Sequence, residues 1–312
     1  VLLGGLLRFL SQLALIPLTI SPIKSITPLQ INRNLATRYF QAMLSGGILF
    51  LFPIMTRAFA SYEEPGSVAL MSYTAKLVEF PLALAVTFLS VIFFPKLSQS
   101  FSTNLNIHKQ QIHYGIQCTI TLALVAMLAL LTVTEAYTEL VYGHGNMQIS
   151  ELEQLARLAS IGLLALPLQG LSIFLTAVFN SQRNTRTPLF LNSLGLAFFL
   201  TSYAINLFGS GLAALMWGMV TSYGLICFLQ LLSLSSRGFR CHYALAEKQF
   251  VFTTTIGLLL LVSLIRMLNQ FNSSAWFTLL MACASAVISL GVMVALNRKL
   301  LSVIKEARLS DD

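Results

Sequence analysis

Long unbroken runs of apolar residues, separated by short polar links, dominate this chain. Nine of them lie near residues 1–20, 39–59, 72–94, 115–134, 155–179, 188–208, 212–235, 249–268 and 275–297. Each is close to or above the ~20 residues a helix needs to cross hydrocarbon. Strands of a membrane barrel would instead alternate apolar and polar positions over about ten residues. Helices satisfy their own backbone in lipid, so the pattern predicts an all-α polytopic membrane protein with about nine transmembrane helices. The longest connections, 21–38, 95–114 and 135–154, are links rather than domains. Pro81 and Pro167 fall inside runs, with Pro95 and Pro188 beside them. A proline within a span removes a helical hydrogen bond, which predicts a kink or local break there.

Composition narrows the class further. Of 312 residues, 56% are hydrophobic and only 10% charged, with mean hydropathy +0.78. A soluble chain carries about a quarter charged residues. That excludes an ordinary cytosolic enzyme, a disordered tail and a secreted disulfide scaffold. Cys118, Cys227, Cys241 and Cys283 stand apart with no CxxC pair, so no metal knuckle or disulfide frame is signalled. The first residue is Val1, inside an apolar run that lacks a basic leader and a small-residue cleavage site. The expectation is a start cut within a helix, with an N-terminal portion missing.

The net charge of +8 at first suggests nucleic acid, but its distribution is topological. Alternate loops and the tail on one side hold Lys24, Arg33, Arg38, Lys96, Lys109, Arg183, Arg186, Arg237, Arg240, Lys248, Arg298, Lys299, Lys305 and Arg308. The other side offers Arg57 and Arg266 near helix ends, beside Glu63, Glu64, Glu135, Glu139, Glu151 and Glu153. Cytoplasmic loops are the Lys/Arg-rich ones, so the C-terminal tail is predicted to be cytoplasmic.

Three cations remain in or at the edges of spans: Arg8, Lys76 and Arg157. A cation at mid-bilayer costs about 2.5–3.5 kcal/mol on insertion scales, so its presence calls for a reason. Arg157 begins its span and can snorkel to the interface. Arg8 lies in the first run at a depth the pattern does not give. Lys76 is followed three residues later by Glu79, on the same helix face. Two readings stay open for this pair: a local ion pair that lowers insertion cost, or a cation facing an internal aqueous cavity and tuned by Glu79.

Other polar features read as structural. Gly143-His144-Gly145 and Gly209-Ser210-Gly211 lack the strand, helix and Lys of a phosphate loop, so they are turns. His108 and His113 lie in a basic loop with no carboxylate nearby in sequence and read as solvated; Cys241-His242 reads the same way. Ala282/Ala286 and Ser285/Ser289 put small residues one turn apart, a helix-packing pattern that could also shape a lipid-facing groove. Within the spans Glu79 stands alone as an acid, without the cluster that acid–base or metal catalysis needs. The chain is therefore expected not to be an enzyme, with no catalytic residues, metal or cofactor.

Several stretches resemble one family. Phe59-Ala60-Ser61-Tyr62-Glu63-Glu64-Pro65-Gly66-Ser67-Val68, then Tyr73 to Pro81, then Phe94-Pro95-Lys96-Leu97-Ser98, is similar to the most recognisable block of the MurJ/MviN lipid II flippases. Val178-Phe179-Asn180-Ser181-Gln182-Arg183-Asn184-Thr185-Arg186-Thr187-Pro188 resembles that family's AFYARQDTRTP loop. Val141 to Gly145 and Gly209 to Ala213 fit two of its turns, all in the right order across residues 55–235. The resemblance implies a two-lobe fold of fourteen helices. Residues 1–20 would be the sixth helix, 39–235 the second six-helix lobe, 249–297 the terminal pair and 298–312 a cytoplasmic tail.

The same resemblance implies a cationic cavity for a polyprenyl-diphosphate saccharide, most simply lipid II for peptidoglycan synthesis, in the bacterial cytoplasmic membrane. It assigns Lys76 and Glu79 to the headgroup cavity, with Arg8 and Tyr73 as further cavity candidates. Expected partners are that lipid, the surrounding membrane lipids and proteins of cell-wall synthesis, not nucleic acid. The chain departs from the family pattern in having Lys76 for Arg and Ala75 for Asp. Phe199 and Tyr203 stand where some members hold a cation with an Asn and an acid. Rival expectations are a flippase for another lipid-linked saccharide, an exporter sharing the fold, a membrane enzyme on the same carrier, or a non-transporting scaffold.

Overall fold

The computed structural model describes residues 33–83, 88–239, 241–269 and 274–296, and these form helices and short turns. The described residues from Arg38 onward belong to one compact unit. In chain order the helices are α1 (Arg33–Ala60), α2 (Ser67–Leu82), α3 (Phe88–Thr103), α4 (Leu105–Thr132), α5 (Thr134–Tyr142), α6 (Ile149–Leu163), α7 (Ala165–Ser181), α8 (Arg186–Ala204), α9 (Leu212–Ser236), α10 (Cys241–Ala246), α11 (Lys248–Asn269) and α12 (Ala275–Leu296).

Five of these are long and apolar enough to span a membrane: α1, α4, α9, α11 and α12. The pair α6–α7 makes a sixth when taken as one bent span. The difference from nine has three sources. The first run lies outside the described residues. The run at 72–94 is covered by α2 and α3, with 84–87 also outside them. The run at 188–208 is the 19-residue α8, whose Arg186, Asn192, Ser193, Thr201 and Ser202 dilute its hydropathy.

Prolines shape the helices, and the structure shows how their lost hydrogen bonds are made good. α6 and α7 meet at 41° around Leu164, three residues before Pro167, whose ring nitrogen has no proton for the Leu163 carbonyl. α1 runs through Pro53 and α2 through Pro81. The carbonyl orphaned by Pro53 is Leu49, and Tyr223 of α9 donates its hydroxyl there at 3.0 Å. The carbonyl orphaned by Pro81 is Leu77, and Tyr137 of α5 donates there at 3.2 Å. Partners from neighbouring elements are what make such prolines tolerable in lipid.

Core packing follows the helices. α9 lies against α6, α7 and α8, while α4 packs on α3, α7, α11 and α12. Phe52, Phe199 and Tyr223 form one fully buried aromatic cluster between α1, α8 and α9, with the Phe52 ring 4.7 Å from Tyr223. α11 and α12 close on each other through the small residues: Ser289 donates to the Gly257 carbonyl at 2.6 Å, and Ala282 and Ser285 are buried. The small-residue pattern is thus helix packing.

Links grouped on one side by charge do converge. Gln182 Nε2 lies 3.2 Å from His108, Arg237 donates to Thr187 at 3.0 Å, Lys109 sits over the Phe239 ring, and Thr185 donates to Gln41. The two histidines correct their expected solvation. His108 is fully buried, with Ser100 Oγ 3.1 Å from Nδ1. His113 Nε2 lies 3.0 Å from Glu247, a carboxylate 134 residues away that only the fold brings near. Cys241 and His242 have side chains outside the described residues.

Candidate functional site

The site is built where α1 turns into α2. Gly66, with φ of +93°, begins α2 in a left-handed conformation that an L side chain rarely adopts. From Ser67 α2 runs nine residues to Lys76 and twelve to Glu79. One face of α2 packs on α6, burying Met71, Thr74, Leu77 and Val78. The opposite face carries Tyr73, Lys76 and Phe80 outward.

Lys76 and Glu79 are brought together. Lys76 Nζ donates to Glu79 Oε2 at 2.8 Å, and the lysine side chain is 67% exposed. Arg57, in the last turn of α1, joins them: its Nη2 lies 3.6 Å from Glu79 Oε1. One carboxylate therefore faces two cations, one at each oxygen. In sequence Arg57 reads only as a cation near a helix end, because a residue 22 positions before Glu79 shares no helix face with it. The fold brings the end of α1 to this part of α2. Tyr73, one turn before Lys76, places its ring 4.8 Å from Tyr142 of α5. Arg8 lies outside the described residues.

Behind Glu79 is a cavity of about 20 Å³ lined by Pro53, Thr56, Met71, Ala75, Val78, Gln169, Met216 and Met219. That is room for a water molecule, far short of a sugar-diphosphate. A large anionic ligand would meet this helix wall on its outer face, where Lys76 projects. Among the described residues no group of three His, Cys, Asp or Glu could hold a metal. Phe199 and Tyr203, the positions compared with a cation site, are aromatic packing: Phe199 is fully buried, and Tyr203 stacks on Phe59 at 4.1 Å.

Similarity to known proteins decides the family. The profile of the family described as "Lipid II flippase MurJ" matches residues 1–287. This chain belongs to the MurJ family. A probable lipid II flippase MurJ of Rickettsia prowazekii is 26% identical over 149 residues, 47% of this chain and 29% of the relative. The lipid II flippase MurJ of Burkholderia cenocepacia is 26% identical over 197 residues, 60% of this chain and 38% of that one. A probable lipid II flippase MurJ of Vibrio cholerae is 26% identical over 201 residues, again 60% of this chain and 36% of the relative. The matched stretches thus cover well under half the length of these relatives.

A solved lipid II flippase MurJ in an inward closed conformation superposes with a TM-score of 0.68 at 15% identity, over 86% of this chain and 54% of that one. At that identity the likeness shows the fold: a MurJ-type polytopic helical membrane protein.

Proposed function

We propose that the protein carrying this chain flips a polyprenyl-diphosphate saccharide, lipid II for peptidoglycan synthesis, across the bacterial inner membrane. The observation that carries this reading is the family match over residues 1–287. Residues 39–235 would form the second lobe and 249–297 the terminal pair, with the tail cytoplasmic. A sugar-diphosphate does not enter hydrocarbon unaided, because an isolated charge is too costly to desolvate. Lys76 offers a positive charge on the outer face of α2, and its ion pair with Glu79 makes that charge tolerable within the membrane before ligand arrives. The ligand's diphosphate then competes with Glu79 for the ammonium. No bond is made or broken, so transport needs helix movement rather than acid–base chemistry.

Complementation tests the proposal. The whole protein expressed in a strain depleted of its lipid II flippase is expected to restore growth, and Lys76→Gln to abolish rescue at unchanged expression. Absence of rescue by the well-expressed wild type would contradict the lipid II assignment.

A further inference from the structure

Lys76 alone suffices to neutralise Glu79. Its 2.8 Å contact is a charge-assisted hydrogen bond, whereas Arg57 stops at 3.6 Å, beyond hydrogen-bond range. Arg57 donates no hydrogen bond among the described residues, and its Nε is buried without a partner. A guanidinium carries five donors in a rigid fork and an ammonium three. Of that joint supply, one is engaged. Two cations against one carboxylate also leave a positive charge over. The Arg57 side chain is 33% exposed, so its fork is partly desolvated and still reachable.

We propose that Arg57 is a phosphate-binding residue that makes this site selective for a lipid-borne diphosphate over a monophosphate. The inference rests on the flippase reading and names the part of the ligand this wall recognises. Arg57 and Lys76 approach different oxygens of the same carboxylate, so two separate cationic groups face one place on this wall. The fork takes one phosphate in two parallel N–H···O bonds, and the ammonium meets the other as a point charge. A monophosphate lipid satisfies Lys76 and leaves the fork idle.

The test is binding of polyprenyl diphosphate, polyprenyl monophosphate, polyprenol and inorganic diphosphate to the whole protein in nanodiscs. Wild type is expected to prefer polyprenyl diphosphate. Arg57→Gln is expected to weaken that lipid about tenfold and the monophosphate less than twofold. Arg57→Lys keeps the charge without the fork, and about threefold weakening is expected. Equal weakening of both phospholipids by Arg57→Gln, or none, overturns the role of Arg57 while the flippase reading stands. Should Arg57→Gln misfold, Arg57→Lys decides, and unchanged diphosphate affinity overturns the proposal. Inorganic diphosphate binding as tightly as the lipid overturns the lipid-borne source. Wild type binding polyprenol as well as either phospholipid overturns the site and the flippase reading together.

Discussion

The Tyr137 hydroxyl donates to the Leu77 carbonyl, the one acceptor in α2 that Pro81 leaves without a helical donor. This contact fixes the α2 backbone between Lys76 and Glu79 against α5. Burial pushes the Tyr137 hydroxyl up to about 12, with the neighbouring Tyr142 adding to the shift. The group therefore stays protonated, and able to donate, throughout the neutral range.

Removing either tyrosine hydroxyl should expose a fault beneath a proline. Tyr137→Phe and Tyr223→Phe each leave a buried carbonyl unpaired, a loss of about 1–3 kcal/mol. Tyr223→Phe should be the more damaging, because Gln169 also donates to that hydroxyl at 3.1 Å. Denaturant unfolding in micelles reads the effect. Pro53→Ala in the Tyr223→Phe background should recover part of the loss, since an N–H at position 53 reaches Leu49. Purely additive losses would break the pairing of Tyr223 with Pro53.

Sidedness is read by cysteine labelling after the native cysteines are replaced. Crossed as one bent span, α6–α7 would put Gly145, which precedes it, and Asn184, which follows it, on opposite faces. A probe at Gly145 should react with an impermeant reagent outside intact cells, and one at Asn184 should not. Equal labelling would undo the topology.

Lys76 can be separated from a mere partner of Glu79. Lys76→Gln should abolish complementation, whereas Lys76→Arg should retain much of it, because the charge persists. The double variant Lys76→Gln with Glu79→Gln removes the uncompensated carboxylate. It should remain inactive at normal expression. An active double variant reduces Lys76 to an ion-pair partner.

The link into the terminal helix pair is held by Glu247, which accepts from Gln117 Nε2 at 2.9 Å and lies beside His113. Glu247→Ala should loosen α10 and the start of α11 from α4. Amide exchange over residues 244–250 should rise about tenfold, as loss of a charged hydrogen bond implies. Exchange unchanged there would make the cluster incidental.

Much of this fold is legible as hydrophobic pattern. The spans at 212–235, 249–268 and 275–297 agree with α9, α11 and α12 to within a residue, and 39–59 falls inside α1, which begins six residues earlier, because unbroken apolar length is itself the physical requirement. The start of α4 is not, since its signal is polar: Asn104 caps it by accepting from Asn106 and Ile107, ten residues before the apolar run. In the site, Lys76 and Glu79 share a helix face and are readable by spacing. Arg57, His113 with Glu247, and the tyrosines beneath Pro53 and Pro81 are long-range contacts, which no single-helix periodicity encodes.

The central claim, transport of a diphosphate-linked saccharide along a cationic wall, is tested most directly in liposomes. The whole protein is reconstituted with a headgroup-labelled lipid II, and the outward exposure of the label is followed with an impermeant quencher. Translocation well above protein-free vesicles, lost in Lys76→Gln, is the predicted result. Translocation equal to that of protein-free vesicles, or equal in wild type and Lys76→Gln, would contradict it.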